Sequence, residues 1–375
     1  MSILLLTPNW QAKSEVWIQY SIEANSDNIA CIVANNTQGN RYWRNQIRAV
    51  SLSGTDKLLN RMLWRAGFYT QQKTLMREIR RKEVSRILCH YGTTAVNFFD
   101  VWNQTDKPLF VHFHGYDATF NLCPDDNPDK LYHRTDYKDK LISISKHATC
   151  IANSHFTKKL LISAGLPDER IVVKYLGVPI PQQTKNHIEK KEIHILQLGR
   201  LIDSKSPDRT IRAFEMARAN GLKARLTIAG DGPLRPMCEL MRLRSPYKED
   251  IFMPGAVTAQ EAQELFFDAD IYTQHNITGE ITNQAESFGV TIIEAMAAGL
   301  PVLGTKSGAV PETVVDGETG ILIEPGNVEA QAANMCLLAR NVELRKKMGL
   351  AGRTRVIENF TSEIEANKLK EIMNI

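Results

Sequence analysis

The sequence predicts two consecutive α/β domains, each a parallel sheet flanked by helices, and three observations carry that prediction. Short apolar runs alternate with longer stretches of helical periodicity, the pattern of strand–helix units around parallel sheets. The alternation stops at a polar segment without apolar periodicity, Gln182 to Glu192, and starts afresh after it. Finally, 375 residues are long for one hydrophobic core and comfortable for two of roughly 150–200 residues each. The expected division is 1–181 and 182–355, with a closing helical segment, about 356–375, returning to the first domain.

In the first half the strand candidates are Ile3–Leu6, Ile29–Val33, Ser85–Cys89, Leu109–Phe113, Thr149–Ala152 and Ile171–Val173, with an amphipathic stretch at Thr157–Ala164. In the second they are Ile193–Leu198, Ala224–Ala229, Ile251–Met253, Ile271–Gln274, Pro301–Thr305 and Gly320–Ile323. Helical stretches there include Asp208–Asn220, Ala259–Asp268 and Val290–Ala298, and Asn341–Ile375 reads as helix with a break near Phe360-Thr361. Two such halves joined by a linker would form a cleft in which the carboxyl ends of both sheets face one ligand.

Composition narrows the class. The chain is 43% hydrophobic and 23% charged, which excludes general disorder. Six scattered cysteines without a CxxC argue against a disulfide framework or a zinc site and fit a reducing, cytoplasmic setting. The opening apolar run is too short to span a bilayer, is stopped by Pro8, and reads as a buried strand rather than a targeting peptide. The first half is basic: up to Ile180 there are 23 Lys+Arg against 16 Asp+Glu. Much of the excess lies within 57–86, where Leu58, Leu59, Met62, Leu63 and Trp64 interleave with cations. Such a stretch is either a solvated helix with one face on the core or a peripheral contact with an anionic membrane face. Nothing points to nucleic acid.

The segment with the most chemical information is Glu286-Ser287-Phe288-Gly289-Val290-Thr291-Ile292-Ile293-Glu294-Ala295-Met296-Ala297-Ala298-Gly299-Leu300-Pro301-Val302. It reads as a loop entering a helix. Gly289 lets backbone approach a ligand, and the helix start offers N–H groups to phosphate. Glu286 before the helix can accept from sugar hydroxyls, and Glu294, within about the first turn, from ribose hydroxyls. Upstream, Gly199 ends a strand and Arg200 and Lys205 follow it. The first is a planar fork and the second a mobile point charge, suited to phosphate oxygens. In the first half, His114-Gly115-Tyr116-Asp117 follows a strand end, with His112 two residues earlier on the same strand face.

Two glutamates separated by seven residues and followed by Ala-Met-Ala-x-Gly-x-Pro-Val resemble the donor-binding motif of glycosyltransferase family 4. Gly199-Arg200-Leu201…Lys205 resembles the Gly-Arg-Leu…Lys-Gly element of that family, with Ser206 where Gly is usual. Gly230 in Ala229-Gly230-Asp231-Gly232 stands where the family keeps backbone near the nucleotide. Gly255, Ala256 and Val257 stand where relatives hold the base. His114 resembles the histidine beside the reacting sugar in exopolysaccharide transferases, and Ser14-Glu15-x-x-Ile18 and His90-Tyr91-Gly92 resemble elements of the colanic-acid-type subgroup. The Gly and Pro residues around Gly308 read as turn chemistry.

The resemblance implies the GT-B fold and a retaining, metal-independent transfer from a nucleotide sugar, UDP-linked in preference and GDP-linked as the other choice. It makes His114, Arg200, Lys205 and Glu286 catalytic. It makes Gly199, Gly230, Gly255, Ala256, Val257, Ser287, Phe288, Gly289, Val290 and Glu294 donor-binding, and Glu15, Tyr116 and Asp117 acceptor-side. It implies a saccharide or lipid-linked acceptor in bacterial polysaccharide or envelope glycan synthesis, no cofactor, and a cytoplasmic site at or near the inner membrane face. The competing reading is a catalytically silent nucleotide-sugar-binding subunit of an assembly complex.

Overall fold

The computed structural model describes residues 2–12, 15–52, 64–120, 133–280 and 282–375, the side chains of 64–69 excepted. The chain forms two compact units: Met1–Tyr175 with Glu365–Ile375, and Leu176–Ile364. The division therefore falls a few residues earlier than expected. Residues 176–181 and 356–364 belong to the second unit, and only the last eleven residues, 365–375, join the first.

The first unit is built on an eight-stranded sheet, β1 (Ser2–Thr7), β2 (Ile29–Ala34), β3 (Tyr42–Trp43), β4 (Ile47–Ser51), β5 (Val84–His90), β6 (Leu109–Phe113), β7 (Thr149–Ala152) and β8 (Ile171–Val173). Its order is β3-β4-β2-β1-β5-β6-β7-β8, parallel except for β3 against β4. The unbroken apolar run of β1 is what a strand buried on both faces requires. Leu4 and Leu6 enter one core cluster with Val33, Ile87, Val111 and Phe113. Ile3 and Leu5 enter the opposite one with Ile32, Leu88 and Ile151, closed by Leu369 and Met373 of the terminal helix Ser362–Met373. A buried ion pair, Lys174 with Glu365, and the Arg86 guanidinium on the carbonyls of Met373 and Asn374 fix that helix.

Strands β3 and β4 were not legible in the sequence. Their apolar alternation (Trp43, Ile47, Ala49 buried) is interrupted by Arg41, Arg44 and Arg48. Arg48 is matched by Glu78, whose side chain is only 2% exposed. Of the basic stretch 57–86, residues 57–63 lie outside the described residues. The helix Trp64–Ile79 buries Leu75, Met76 and Ile79. Among the described residues no helix is long and apolar enough to cross a membrane.

The second unit carries a six-stranded parallel sheet, β9 (Ile193–Leu198), β10 (Ala224–Ala229), β11 (Ile251–Gly255), β12 (Ile271–Thr273), β13 (Val302–Thr305) and β14 (Gly320–Ile323), in the order β11-β10-β9-β12-β13-β14. Strand order reverses between β9 and β12 here, and between β1 and β5 in the first unit. Open parallel sheets take ligands at the carboxyl ends of the strands flanking such a reversal. The stretch expected as a linker, Gln182 to Glu192, is fastened to this unit instead of hanging free. Lys185 N–H donates to the Ala298 carbonyl at 2.8 Å and its ammonium to the Phe267 carbonyl at 2.7 Å. The His187 ring meets the Gly299 carbonyl at 2.9 Å. The closing helical segment breaks at Phe360-Thr361, between the helices Val342–Asn359 and Ser362–Met373.

Candidate functional site

In the second unit the strand reversal brings two loops together. One follows β9 and holds Gly199 to Ser206; the other follows β12 and runs to Gly289. Between them Lys205 and Glu286, 81 positions apart, form a direct ion pair with side chains only 16% and 10% exposed. Asn276 Nδ2 donates to the same carboxylate oxygen at 3.1 Å, and Lys205 Nζ also reaches Gln274 Oε1 at 3.3 Å. Burial pushes the Glu286 carboxyl upward, but the Lys205 ammonium, the Phe288 N–H and the Arg200 guanidinium more than offset it and hold it below the usual carboxylate range. Gln274 and Asn276 were not singled out in the sequence. The only signal was a polar run, Gln274-His275-Asn276, directly after an apolar strand, and all three are buried.

The Glu286 loop is held by its backbone. The Ala309 N–H donates to the Glu286 carbonyl at 2.7 Å. At Gly308 (φ +59°) a Cβ would overlap that carbonyl, so this glycine does more than turn the chain. Gly289, left-handed at φ 90°, caps the helix Val290–Ala297, and Ser287 beside it is buried. Tyr272 OH bridges Leu198 O at 3.0 Å and Thr291 Oγ1 at 2.8 Å, tying the helix start to the end of β9. Val290 is half-buried at the helix start, while Glu294, also half-buried, stands in the second turn rather than the first.

Phe288 is placed differently from the expectation. It is 1% exposed and meets Phe360 edge-on at 5.6 Å between ring centroids, so it anchors the loop in the core. Gly199, Gly230 and Gly255 end adjacent strands: Gly199 N–H donates to Ala229 O at 3.0 Å and Gly230 N–H to Gly255 O at 2.7 Å. A Cβ at Gly230 (φ +138°) would overlap the Gly199 carbonyl, so close backbone contact demands glycine there. Ala256 and Arg200 are exposed, and Val257 is half-buried.

In the first unit His114 follows β6 and is enclosed by aromatic rings. Trp17 Nε1 donates to His114 Nδ1 at 3.2 Å, and His114 Nε2 lies 2.8 Å from His90 Nδ1. The His112 ring is 4.2 Å away between centroids. Burial first, and then the neighbouring His90 and Lys174, keeps the His114 ring well below the ordinary histidine value, so it is neutral at pH 7. His90, His112 and His114 are the group of potential metal ligands among the described residues, their nitrogens within 4.8 Å of one another.

Asp117, expected on the acceptor side, is fully buried. Its Oδ1 accepts from the N–H groups of His114 (2.9 Å) and Gly115 (3.0 Å), and its Oδ2 from Gly92 N–H (2.8 Å). It shapes the turn that presents His114 and cannot touch an acceptor. Tyr116 is exposed and lies against Phe120 and His133. Glu15 accepts from Asn9 Nδ2 at 2.8 Å and lines a shallow open recess with Trp10, Gln19 and Trp43, beside the end of β1. Ser14 lies outside the described residues.

The family described as "Glycosyl transferases group 1" matches residues 180–355. The amylovoran biosynthesis glycosyltransferase AmsK of Erwinia amylovora is 24% identical over 266 residues, 70% of this chain and 62% of that protein. A GDP-mannose-dependent alpha-(1-6)-phosphatidylinositol monomannoside mannosyltransferase of Mycolicibacterium smegmatis is 28% identical, covering 48% of this chain and 47% of that one. The chain spans about half the length of most curated relatives it matches. Among solved structures, HepE of Anabaena in complex with UDP-glucose superposes with a TM-score of 0.80 at 16% identity, covering 100% of this chain and 99% of that one. At that identity the likeness establishes the fold, which is GT-B. Residues 180–355 are therefore similar to the group 1 glycosyltransferases, and the chain that carries them has the GT-B fold.

Proposed function

We propose that the chain is a retaining glycosyltransferase that moves a sugar from a nucleotide-sugar donor to a saccharide or lipid-linked acceptor in polysaccharide synthesis. The observation that carries the reading is the Lys205–Glu286 pair at the strand reversal of the second unit, beside the Gly289-capped helix. A diphosphate bound there takes up the N–H groups of the helix start and the charges of Arg200 and Lys205. Glu286 then accepts from hydroxyls of the transferred sugar and Glu294 from the ribose.

In the reaction the bond between the anomeric carbon and the β-phosphate oxygen breaks. The acceptor oxygen bonds that carbon on the same face, and its proton passes to the departing phosphate oxygen. Arg200, Lys205 and the helix start carry the charge that develops there. No step calls on a metal ion. HepE, solved with UDP-glucose, supports a UDP-sugar, and the GDP-mannose-dependent relative keeps the GDP-sugar in view. AmsK, named for amylovoran biosynthesis, supports a polysaccharide acceptor.

The test is release of nucleoside diphosphate from a panel of UDP- and GDP-hexoses, with chelator and saccharide acceptors, and determination of the product anomer by NMR. Transfer with retained configuration is expected. Donor binding without release from any donor would replace this reading by that of a silent binding subunit, and an inverted product would refute the same-face step.

A further inference from the structure

Past Thr273, the last residue of β12, the chain turns successive side chains to opposite sides. Gln274 and Asn276 reach the Lys205–Glu286 pair. His275, between them and fully buried, reaches the helix Val328–Arg340 instead, with Nδ1 2.7 Å from Gln331 Oε1. The Gly326 N–H donates to His275 Nε2 at 2.9 Å. A backbone N–H only donates, so Nε2 is bare and a neutral ring carries its proton on Nδ1. Burial more than offsets the Gln331 hydrogen bond and holds the ring below the ordinary histidine value, so it is neutral at pH 7. The Nδ1–H then donates to Gln331 Oε1. That turns the Gln331 NH₂ toward Thr273 Oγ1 at 2.9 Å and Thr210 Oγ1 at 3.4 Å, and Thr273 Oγ1 donates to the Leu303 carbonyl at 2.9 Å. All four side chains are at most 1% exposed, in a unit whose core is built from Ile211, Ile271, Leu303 and Met335. Apolar side chains of the same shape would stabilise such a core about as well, whereas atoms paired in this way admit one arrangement.

We propose that His275 and Gln331 are positioning residues that set the Asn276 amide against Glu286, and that Asn276 becomes the main donor to that carboxylate when a diphosphate draws Lys205 away. The second half rests on the glycosyltransferase reading, in which Lys205 turns to phosphate and Glu286 to the sugar. The two acts compete for one ion pair, because the Lys205 ammonium and Asn276 Nδ2 share the same carboxylate oxygen. Without a second donor, the half-buried carboxylate would meet the sugar with its direction unset. Asn276 supplies that donor at 3.1 Å, and its place is held from two sides. Thr305 Oγ1 donates to the Asn276 carbonyl at 2.6 Å, and His275 ties the preceding residue to Gln331 and Gly326.

The experiment follows the Asn276 side-chain amide in ¹H–¹⁵N spectra of the full chain labelled with ¹⁵N-asparagine. Loss of the signal in Asn276→Ala assigns it, and its shift in Glu286→Gln marks the position without a carboxylate partner. In His275→Phe the signal should move toward that position. In His275→Asn, whose amide stands where Nδ1 does and donates to Gln331, it should return. Gln331→Met keeps the side-chain length without the amide, should shift the signal in the same sense, and serves if His275→Phe does not fold. Long-range spectra of the ¹⁵N-histidine chain at pH 7 should show His275 protonated on Nδ1 and bare on Nε2. Excess UDP or GDP should move the wild-type Asn276 signal further from the Glu286→Gln position. With a donor that turns over, Asn276→Ala should lower kcat/KM by at least about 10-fold, and adding His275→Phe should lower it little more, because both act through one contact. A wild-type Asn276 signal in Gln331→Met or His275→Phe, or a His275 proton on Nε2, would overturn the positioning. A signal unmoved by either nucleotide, or fully additive losses in kcat/KM, would overturn the change of donor. The histidine and asparagine spectra need no turnover, so they judge the positioning even if the donor panel defeats the glycosyltransferase reading.

Discussion

Replacing Lys205 by Met should destabilise the second unit at neutral pH and much less near pH 5. The variant leaves the Glu286 carboxylate in place, 10% exposed, with the Asn276 amide at 3.1 Å but without its ammonium partner. Removing one member of a buried pair costs about 3–5 kcal/mol when burial is complete. With a tenth of the side chain exposed and the Asn276 and Phe288 donors retained, about 2–3 kcal/mol is the appropriate scale. For a unit of this size each kcal/mol moves the unfolding midpoint by about 2–4 °C, so the loss is about 5–10 °C at pH 7.5.

The sign of the pH effect follows from what holds the carboxyl. In the native protein burial raises its pKa, and Lys205 together with the Phe288 N–H and the Arg200 guanidinium more than reverses that, so it lies below the ordinary value of 4.5. Its contribution is present above 4.5 and is lost as pH falls through the lower folded value. In the variant the two largest opposing contributions are gone, burial outweighs what the Phe288 N–H and the Arg200 guanidinium still offset, and the folded pKa is expected to rise above the unfolded one. The penalty is then full at high pH and shrinks as pH falls through the raised value. Thermal unfolding followed by circular dichroism from pH 5 to 8 reads this directly, and Glu286→Gln in the Lys205→Met background should recover most of the loss. A deficit independent of pH, or a double variant no more stable than the single one, would refute the pairing.

Two further substitutions probe the parts that hold each site. Gly308→Ala should drive a Cβ into the Glu286 carbonyl and disturb the Ala309 contact, lowering turnover by at least about 10-fold while the far-ultraviolet spectrum stays native; wild-type turnover would break the link between this turn and Glu286. Asp117→Asn leaves one acceptor oxygen for three N–H groups and turns an NH₂ toward a donor, at a cost of about 1–3 kcal/mol. An unfolding midpoint within about 1 °C of wild type would show that Asp117 does not organise the turn.

Strands that are buried on both faces write themselves into the sequence as continuous apolar runs, and β1, β6 and β9 were readable for that reason. A strand near a sheet edge has no such signature: β4 alternates Ile47, Ala49 with Arg48, and its charge is neutralised by Glu78 from a distant helix. The same logic divides the site residues. Glu286, Lys205 and Gly289 were found through motif spacing, whereas Gln274 and Asn276 act on them through contacts 69 and 10 positions away that no local pattern encodes. Asp117 and Phe288 sit within the expected motifs, yet their side chains point into the core. Motif reading marks a segment and leaves open which of its side chains meets the ligand, because burial is decided by tertiary packing.

Ser206 shows how a residue with a Cβ can hold a left-handed turn. The family pattern puts glycine there, and the chain still adopts the left-handed conformation, φ 38° and ψ 60°. For a residue with a Cβ that costs roughly 1–2 kcal/mol. The hydroxyl offsets part of the cost by donating to the Asp203 carbonyl at 2.7 Å and accepting from Arg209 Nη1 at 3.1 Å. The turn that delivers Lys205 to Glu286 is therefore held in part by a side-chain hydrogen bond. The backbone path held in this way sets the Lys205 ammonium against the Glu286 carboxylate.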